Sequence, residues 1–189
     1  QPALASGAAS WWGTPAARKL LTPASYAAAL EPLLRPLGLK ILLEPGRFLV
    51  GNAGILVMRV EYVKRTGRKH FVIVDAAMND LIRPAFYDAY HEIVPLTRSG
   101  GSRIASDVVG PICESGDYFC KDRPLPRVVQ GDYLALLSAG AYGAVMGSNY
   151  NSRPLAAEVL VSGRRAALVR ARQPLQRIWE GEAWAPWQR

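Results

Sequence analysis

From Ile55 onward the chain is a run of short β-rich stretches broken by glycine and proline, and this constrains the fold more than any other feature. Ile55 to Val63 is apolar and β-branched, with alternation towards its end. Lys69 to Asp75 can pair with it across a turn holding Gly67. Glu92–Leu96, Ser102–Ile112, Tyr133–Ala139, Ala156–Ser162 and Arg165–Arg170 read as further strands. Short strands so punctuated predict an antiparallel barrel or sandwich. Leu175 to Glu182 reads as a short terminal helix, and there is no internal repeat.

The preceding stretch has another character. Thr22-Pro23 opens a helix, with Thr as N-cap and Pro in the first helical position. Tyr26, Leu30, Leu33, Leu34 and Leu37 share a face, and Pro32 predicts a kink or an early stop. Gly38 suits the C-cap. Leu39–Leu43 predicts a strand buried on both faces, as in a parallel sheet. Helix, glycine, strand and the polar turn Glu44-Pro45-Gly46-Arg47 form the αβ unit of a barrel or doubly wound fold. Active sites in such folds sit at the C-terminal ends of strands. Phe48–Gly54 predicts a helical turn that closes the unit, and the Ala/Ser-rich segment from Gln1 to Leu21 reads as irregular.

With 50% hydrophobic and 20% charged residues, the 189-residue chain is of the globular class. Its net charge of +8 comes mostly from arginines that are dispersed, apart from a modest cluster at Arg164, Arg165, Arg170 and Arg172. That distribution argues against nucleic acid and suits a phosphorylated small molecule. Cys113 and Cys120 are too few for a disulfide framework, and with His70 and His91 they lack zinc-site spacing. Free thiols fit a reducing cytoplasm. The most apolar run, Tyr133–Gly147, is too short and glycine-broken to span a membrane, and no secretory signal is present. A start at Gln1 rather than Met suggests a processed or incomplete polypeptide.

Five short strings can carry chemistry. In Val109–Asp117, Cys113 and Glu114 stand side by side, fenced by Gly110, Pro111 and Gly116. Such a turn projects a thiol and a carboxylate from a stiff backbone. In Glu44-Pro45-Gly46-Arg47 the glycine lets a phosphate reach the main chain, and the guanidinium can fork onto it. Within Asn79–Tyr87, a helix would put Arg83 and Tyr87 on one face as a carboxylate receptor. In Gly140-Ala141-Tyr142-Gly143 small neighbours leave the Tyr142 hydroxyl room to reach a ligand. Ser148–Pro154 gathers polar groups in a loop. Each string taken singly fits a structural turn as well as a site.

In this order the strings resemble the pyridoxal-phosphate-dependent diaminopimelate decarboxylases, of the alanine-racemase-like fold type. The resemblance rests on Glu44–Arg47, Val74–Pro84, the Cys113 loop, Gly140–Gly143 and Ser148–Pro154, and runs from Thr22 to Glu182. It implies a mainly β fold with some α. A C-terminal Greek-key β-barrel or sandwich over 53–189 would follow 22–52, the last helix–strand unit of a (β/α)8 barrel. Glu44, Gly46, Arg47 and Tyr142 would hold pyridoxal phosphate (PLP). Arg47, Arg83 and Tyr87 would grip the substrate's distal carboxylate. Glu114 would take the distal ammonium and Cys113 would donate a proton, both in the partner subunit's active site within a homodimer. The implied reaction is decarboxylation of meso-diaminopimelate to lysine.

The family's Schiff-base lysine lies early in the barrel, and none of Lys19, Lys40, Lys64, Lys69 and Lys121 stands in that context. The family's glycine triplet before the helix at Thr22 also has no counterpart in the first 21 residues. The resemblance therefore implies a C-terminal portion that is inactive alone. Two other readings remain open: a decarboxylase of ornithine, arginine or carboxynorspermidine, or a non-catalytic dimerisation module.

Overall fold

The computed structural model describes residues 22–97 and 102–188. The segment expected to be irregular, 1–21, lies outside them. Helix α1 (Pro23–Leu34) starts as its sequence dictates. Thr22 Oγ1 accepts from Ser25 N–H at 3.1 Å, and Ser25 Oγ accepts from Thr22 N–H at 2.8 Å, a reciprocal cap. The helix runs only two residues beyond Pro32 before tightening into a 3-10 turn, Arg35–Leu37. Gly38 then adopts the left-handed conformation at φ 62°. Helix α2 (Gly46–Val50) and the 3-10 turn Gly51–Ala53 follow, where the helical turn was expected.

Six strands form one curled sheet: β1 (Leu56–Thr66), β2 (Lys69–Val74), β3 (Ile93–Pro95), β4 (Arg103–Val109), β5 (Tyr118–Pro126) and β6 (Tyr133–Leu136). Their order is β3-β6-β1-β2-β4-β5. Residues before β3 meet β5 across the gap, where the Arg123 guanidinium donates to the His91 carbonyl, so the sheet is nearly a closed barrel. Helix α3 (Arg83–Tyr87) sits in the β2–β3 connection. Strands β7 (Glu158–Ser162) and β8 (Arg165–Arg170) make a separate hairpin. The mainly β fold with a barrel-like sheet is as expected.

Alternation places the core. Met58 and Val60 of β1, and Val72 and Val74 of β2, point inward against Val108, Phe119, Leu125, Leu134 and Leu136. Each such side chain stabilises the fold by about 1.5–3 kcal/mol when fully buried.

Five features differ from expectation. Leu39–Leu43 forms no strand; Leu39, Leu42 and Leu43 are exposed, because no described strand lies beside them to pair with. The sheet is not wholly antiparallel: β2 and β4 run parallel, Val72 opposite Val108, since the long β2–β4 connection has room for a crossover. Strand β5 was not anticipated. Its Pro124 and Pro126 look like breakers, but the strand lies at the sheet's edge in the hydrogen-bonding order, where a missing N–H is tolerated. The strand expected over Ser102–Ile112 stops at Val109, and the terminal helix is a 3-10 turn, Leu175–Ile178.

Candidate active site

The loop after β6 and helix α2 are locked together. Gly140 N–H donates to Gly51 O at 3.0 Å and Ala139 N–H to Gly54 O at 2.8 Å. Ser138 Oγ donates to Asn52 Oδ1 at 2.7 Å. The approach is so close that a Cβ on Gly140 would stand 1.9 Å from Val50 O. Tyr142 follows in the left-handed region at φ 57°, a conformation that costs a non-glycine residue energy and here turns its ring to the site.

Two arginines converge on that ring. The Arg47 guanidinium carbon is 5.1 Å from the Tyr142 centroid, and that of Arg83 is 5.4 Å away. Arg83 also lies 5.9 Å from the Tyr87 ring. Leu81, fully buried, pins the start of α3, and Arg83 itself is 4% exposed. Burial, then the neighbouring Arg47 charge, lower the Arg83 pKa below its ordinary value. Two guanidiniums around one phenol build positive potential that an anion would relieve. At Gly46, the position of a Cβ has nothing within 4 Å, so its backbone is open to a ligand. Bare main chain, guanidinium and phenol suit a phosphate dianion, so the residues present fit pyridoxal phosphate. Glu44 is exposed at the start of the same turn.

Of the expected site residues, the fold thus assembles Arg47, Arg83, Tyr87 and Tyr142. Cys113 and Glu114 take no part in these ring contacts and lie on a separate loop. Gly116 of their loop lies against Ala85, its Cβ position 3.7 Å from the Ala85 Cβ. Ala85 is two residues from both Arg83 and Tyr87 and so on another face of α3. Asp117 shapes the loop, its carboxylate accepting from Met78 N–H at 2.7 Å and Ile112 N–H at 2.9 Å. Burial raises the Asp117 pKa, and the two amides oppose that rise. A Cβ on Gly110 would strike this carboxylate at 2.3 Å, which explains the glycine. Cys113 is exposed. Glu114 accepts from Gly116 N–H at 3.2 Å and from the Tyr150 hydroxyl at 3.0 Å, and these two bonds lower its pKa.

Sequence reasoning gave no role to Asn79, His91, Asp117, Tyr150 or Arg153. Asn79, Asp117, Tyr150 and Arg153 lie within the five strings, but only the fold reveals what they touch. His91 Nδ1 is 2.9 Å from Leu137 O, so it carries the proton and Nε2 is bare. Nε2 is buried without a hydrogen-bond partner among the described residues. Burial, then the charges of Arg83, Arg123 and Arg47, lower the His91 pKa, while the bond to Leu137 opposes them. The folded pKa is therefore below the unfolded value of 6.5, and the neutral ring is the native one. The resulting stabilisation is complete above pH 6.5 and is lost as pH falls towards the folded value. Thermal melts should show a larger drop in Tm from about pH 7.5 to about pH 5.5 for the parent than for His91→Gln. Equal drops would remove His91 as the cause.

One further contact resembles a catalytic pair and is not one. His70 Nδ1 lies 2.8 Å from Ser106 Oγ, but that hydroxyl spends its proton on Ile104 O at 2.9 Å. Ser106 therefore accepts from His70, the reverse of an activated nucleophile.

A barrel-like sheet beside which two guanidiniums gather on one phenol suits a domain that meets an anionic ligand. The chain belongs to the pyridoxal-dependent decarboxylase family, whose C-terminal sheet domain matches residues 17–140. The diaminopimelate decarboxylase of Aquifex aeolicus is 51% identical over 158 residues, 84% of this chain and 38% of that protein. A crystal structure of diaminopimelate decarboxylase from Helicobacter pylori, complexed with L-lysine, superposes with TM-score 0.78 at 41% identity, over 87% of this chain and 41% of that one. A lysine/ornithine decarboxylase from Vibrio vulnificus, complexed with cadaverine, gives 0.62 at 25% identity over 70% and 37%. The chain spans about two fifths of the length of the relatives it matches, 38% and 39% for the first two. No helix among the described residues is long and apolar enough to cross a membrane.

Proposed function

We propose that these residues form the substrate-clamping part of a homodimeric diaminopimelate decarboxylase that converts meso-2,6-diaminopimelate to L-lysine and CO2. The observation that supports this reading is the convergence of Arg47 and Arg83 on Tyr142. Pyridoxal phosphate, when bound, supplies the electron sink for the pair released as CO2 departs. The Gly46 backbone, Arg47 and the Tyr142 hydroxyl hold its phosphate, with Glu44 beside them. Arg83 and Tyr87, with Arg47, orient the distal carboxylate, so that the other carboxylate is the one lost. The loop that carries Cys113 and Glu114 meets α3 through Gly116 and Ala85, away from Arg83 and Tyr87, and these two residues act in the partner subunit's site. There Glu114 receives the distal ammonium, and the Cys113 thiol gives the α-carbon the proton that replaces CO2. In the same reading, 22–52 completes the barrel and 53–189 is the β domain.

A receptor for a distal carboxylate disfavours ornithine, arginine and carboxynorspermidine as substrates. The test is CO2 release by a polypeptide that carries both the barrel and these residues, supplied with PLP. Release from meso-diaminopimelate, with lysine formed mole for mole and little turnover of the other three, is expected. Preference for ornithine or arginine would overturn the assignment. No turnover of any of them, with a tight complex on an intact decarboxylase subunit, would favour the non-catalytic dimerisation module. The 189 residues alone, mixed with PLP and reduced with borohydride, should retain no label on any lysine.

A further inference from the structure

The two loops bearing the Cys113 and Tyr150 strings hang from one segment, Asp75–Asp80. On one side, Met78 N–H donates to the Asp117 carboxylate at 2.7 Å and so fixes the Cys113 loop. On the other, Asn79 Nδ2 donates to Ser148 O and Ser148 N–H to Asn79 O, both at 3.0 Å. Arg153 Nε donates to Asn79 Oδ1 at 3.1 Å, and its guanidinium also reaches Asp75 O. Thus bracketed, the loops meet where Tyr150 Oη donates to Glu114 Oε2 at 3.0 Å. Glu114 Oε1 takes the Gly116 N–H at 3.2 Å. An exposed glutamate would otherwise sample several rotamers. One bond to each oxygen selects a single pose and leaves further lone pairs of the carboxylate available.

We infer that Tyr150 is a positioning residue for Glu114, presenting its carboxylate in the pose that receives the substrate's distal ammonium; this rests on the reading of Glu114 given above. The bond is directional. Glu114 raises the Tyr150 pKa, so the phenol stays protonated and donates. The same bond helps to lower the Glu114 pKa, which keeps the receptor anionic.

The test is a double-mutant cycle in the assembled holoenzyme, with Tyr150→Phe, Glu114→Gln and the pair, assayed on meso-diaminopimelate. Tyr150→Phe should raise KM by about three- to tenfold, more than it lowers kcat, because one bond to a charged group is lost. On the Glu114→Gln background it should add less than about twofold. Full additivity of the two changes would overturn the inference and leave Glu114 as the receptor. An unchanged KM in Glu114→Gln would instead sink the receptor reading, and the role of Tyr150 with it. Should Tyr150→Phe not assemble, Glu114→Asp withdraws the carboxylate from the phenol by one methylene. It should raise KM comparably, and a parental KM would refute the pairing.

Discussion

Replacing Arg83 by methionine in the assembled holoenzyme should, on the function proposed above, lower kcat/KM for meso-diaminopimelate by roughly 100- to 1,000-fold, the loss expected when about two charge-assisted bonds disappear at once. The expectation follows from where the guanidinium sits. Arg83 is 4% exposed, and Arg47 and Arg83 both lean on Tyr142. Its cation is held in the fold at a disadvantage, since burial and the Arg47 charge both lower its pKa. An arriving carboxylate recovers that disadvantage, so the pair it forms is stronger than one on the surface. Arg83→Lys should recover only a minor part, because a single ammonium cannot reproduce the planar fork. Retention of pyridoxal phosphate, followed by its visible absorbance, should change far less than the substrate KM. A variant that loses cofactor and substrate affinity in step would move Arg83 to the phosphate clamp. A variant with parental kcat/KM would end the distal-carboxylate reading.

What sequence could convey about this site was the pairing of neighbours, and what it could not was the meeting of distant strings. Arg83 and Tyr87, four apart on α3, are a local inference from helical period, and α3 forms where the spacing implied it. The closeness of Arg47 to Tyr142 is set by the hydrogen bonds of Gly51 and Gly54 to the loop after β6, for which no spacing rule exists. The same holds for Tyr150 and Glu114, 36 positions apart. In the fold, β1 and β2 were legible because alternation sorts Met58, Val60, Val72 and Val74 to one face. Strand β5 was hidden, since Pro124 and Pro126 write a breaker's signature that only an edge position excuses. Leu39–Leu43 misled in the opposite sense. Apolar composition states a capacity for burial, whereas burial itself needs a neighbouring surface, and none of the described strands supplies one.

Gly46 and Gly140 should respond to alanine in opposite ways, which separates architecture from ligand contact. At Gly140 the new methyl would stand 1.9 Å from Val50 O and 2.8 Å from Gly54 N, both main-chain atoms that cannot rotate aside. Either the end of α2 or the loop after β6 must shift, and overpacking of that kind costs about 1–3 kcal/mol or more. Gly140→Ala should therefore lower the Tm of the cofactor-free protein by roughly 5–10 °C. It should also loosen the contact of Arg47 with Tyr142, since the displaced segments are the ones that carry them. At Gly46 the methyl meets nothing within 4 Å, and the turn leads into an ordinary right-handed helix. Gly46→Ala should leave the cofactor-free Tm within about 1–2 °C of the parent, as surface substitutions do. Its effect should appear only when pyridoxal phosphate is added, as weaker retention, because the methyl occupies space that the phosphate needs to reach the backbone. Equal Tm losses in the two variants would mean that the openness at Gly46 is filled in the working protein by another part of the fold. Parental cofactor retention in Gly46→Ala, beside a destabilised Gly140→Ala, would place the phosphate away from this turn and leave Arg47 to the substrate alone.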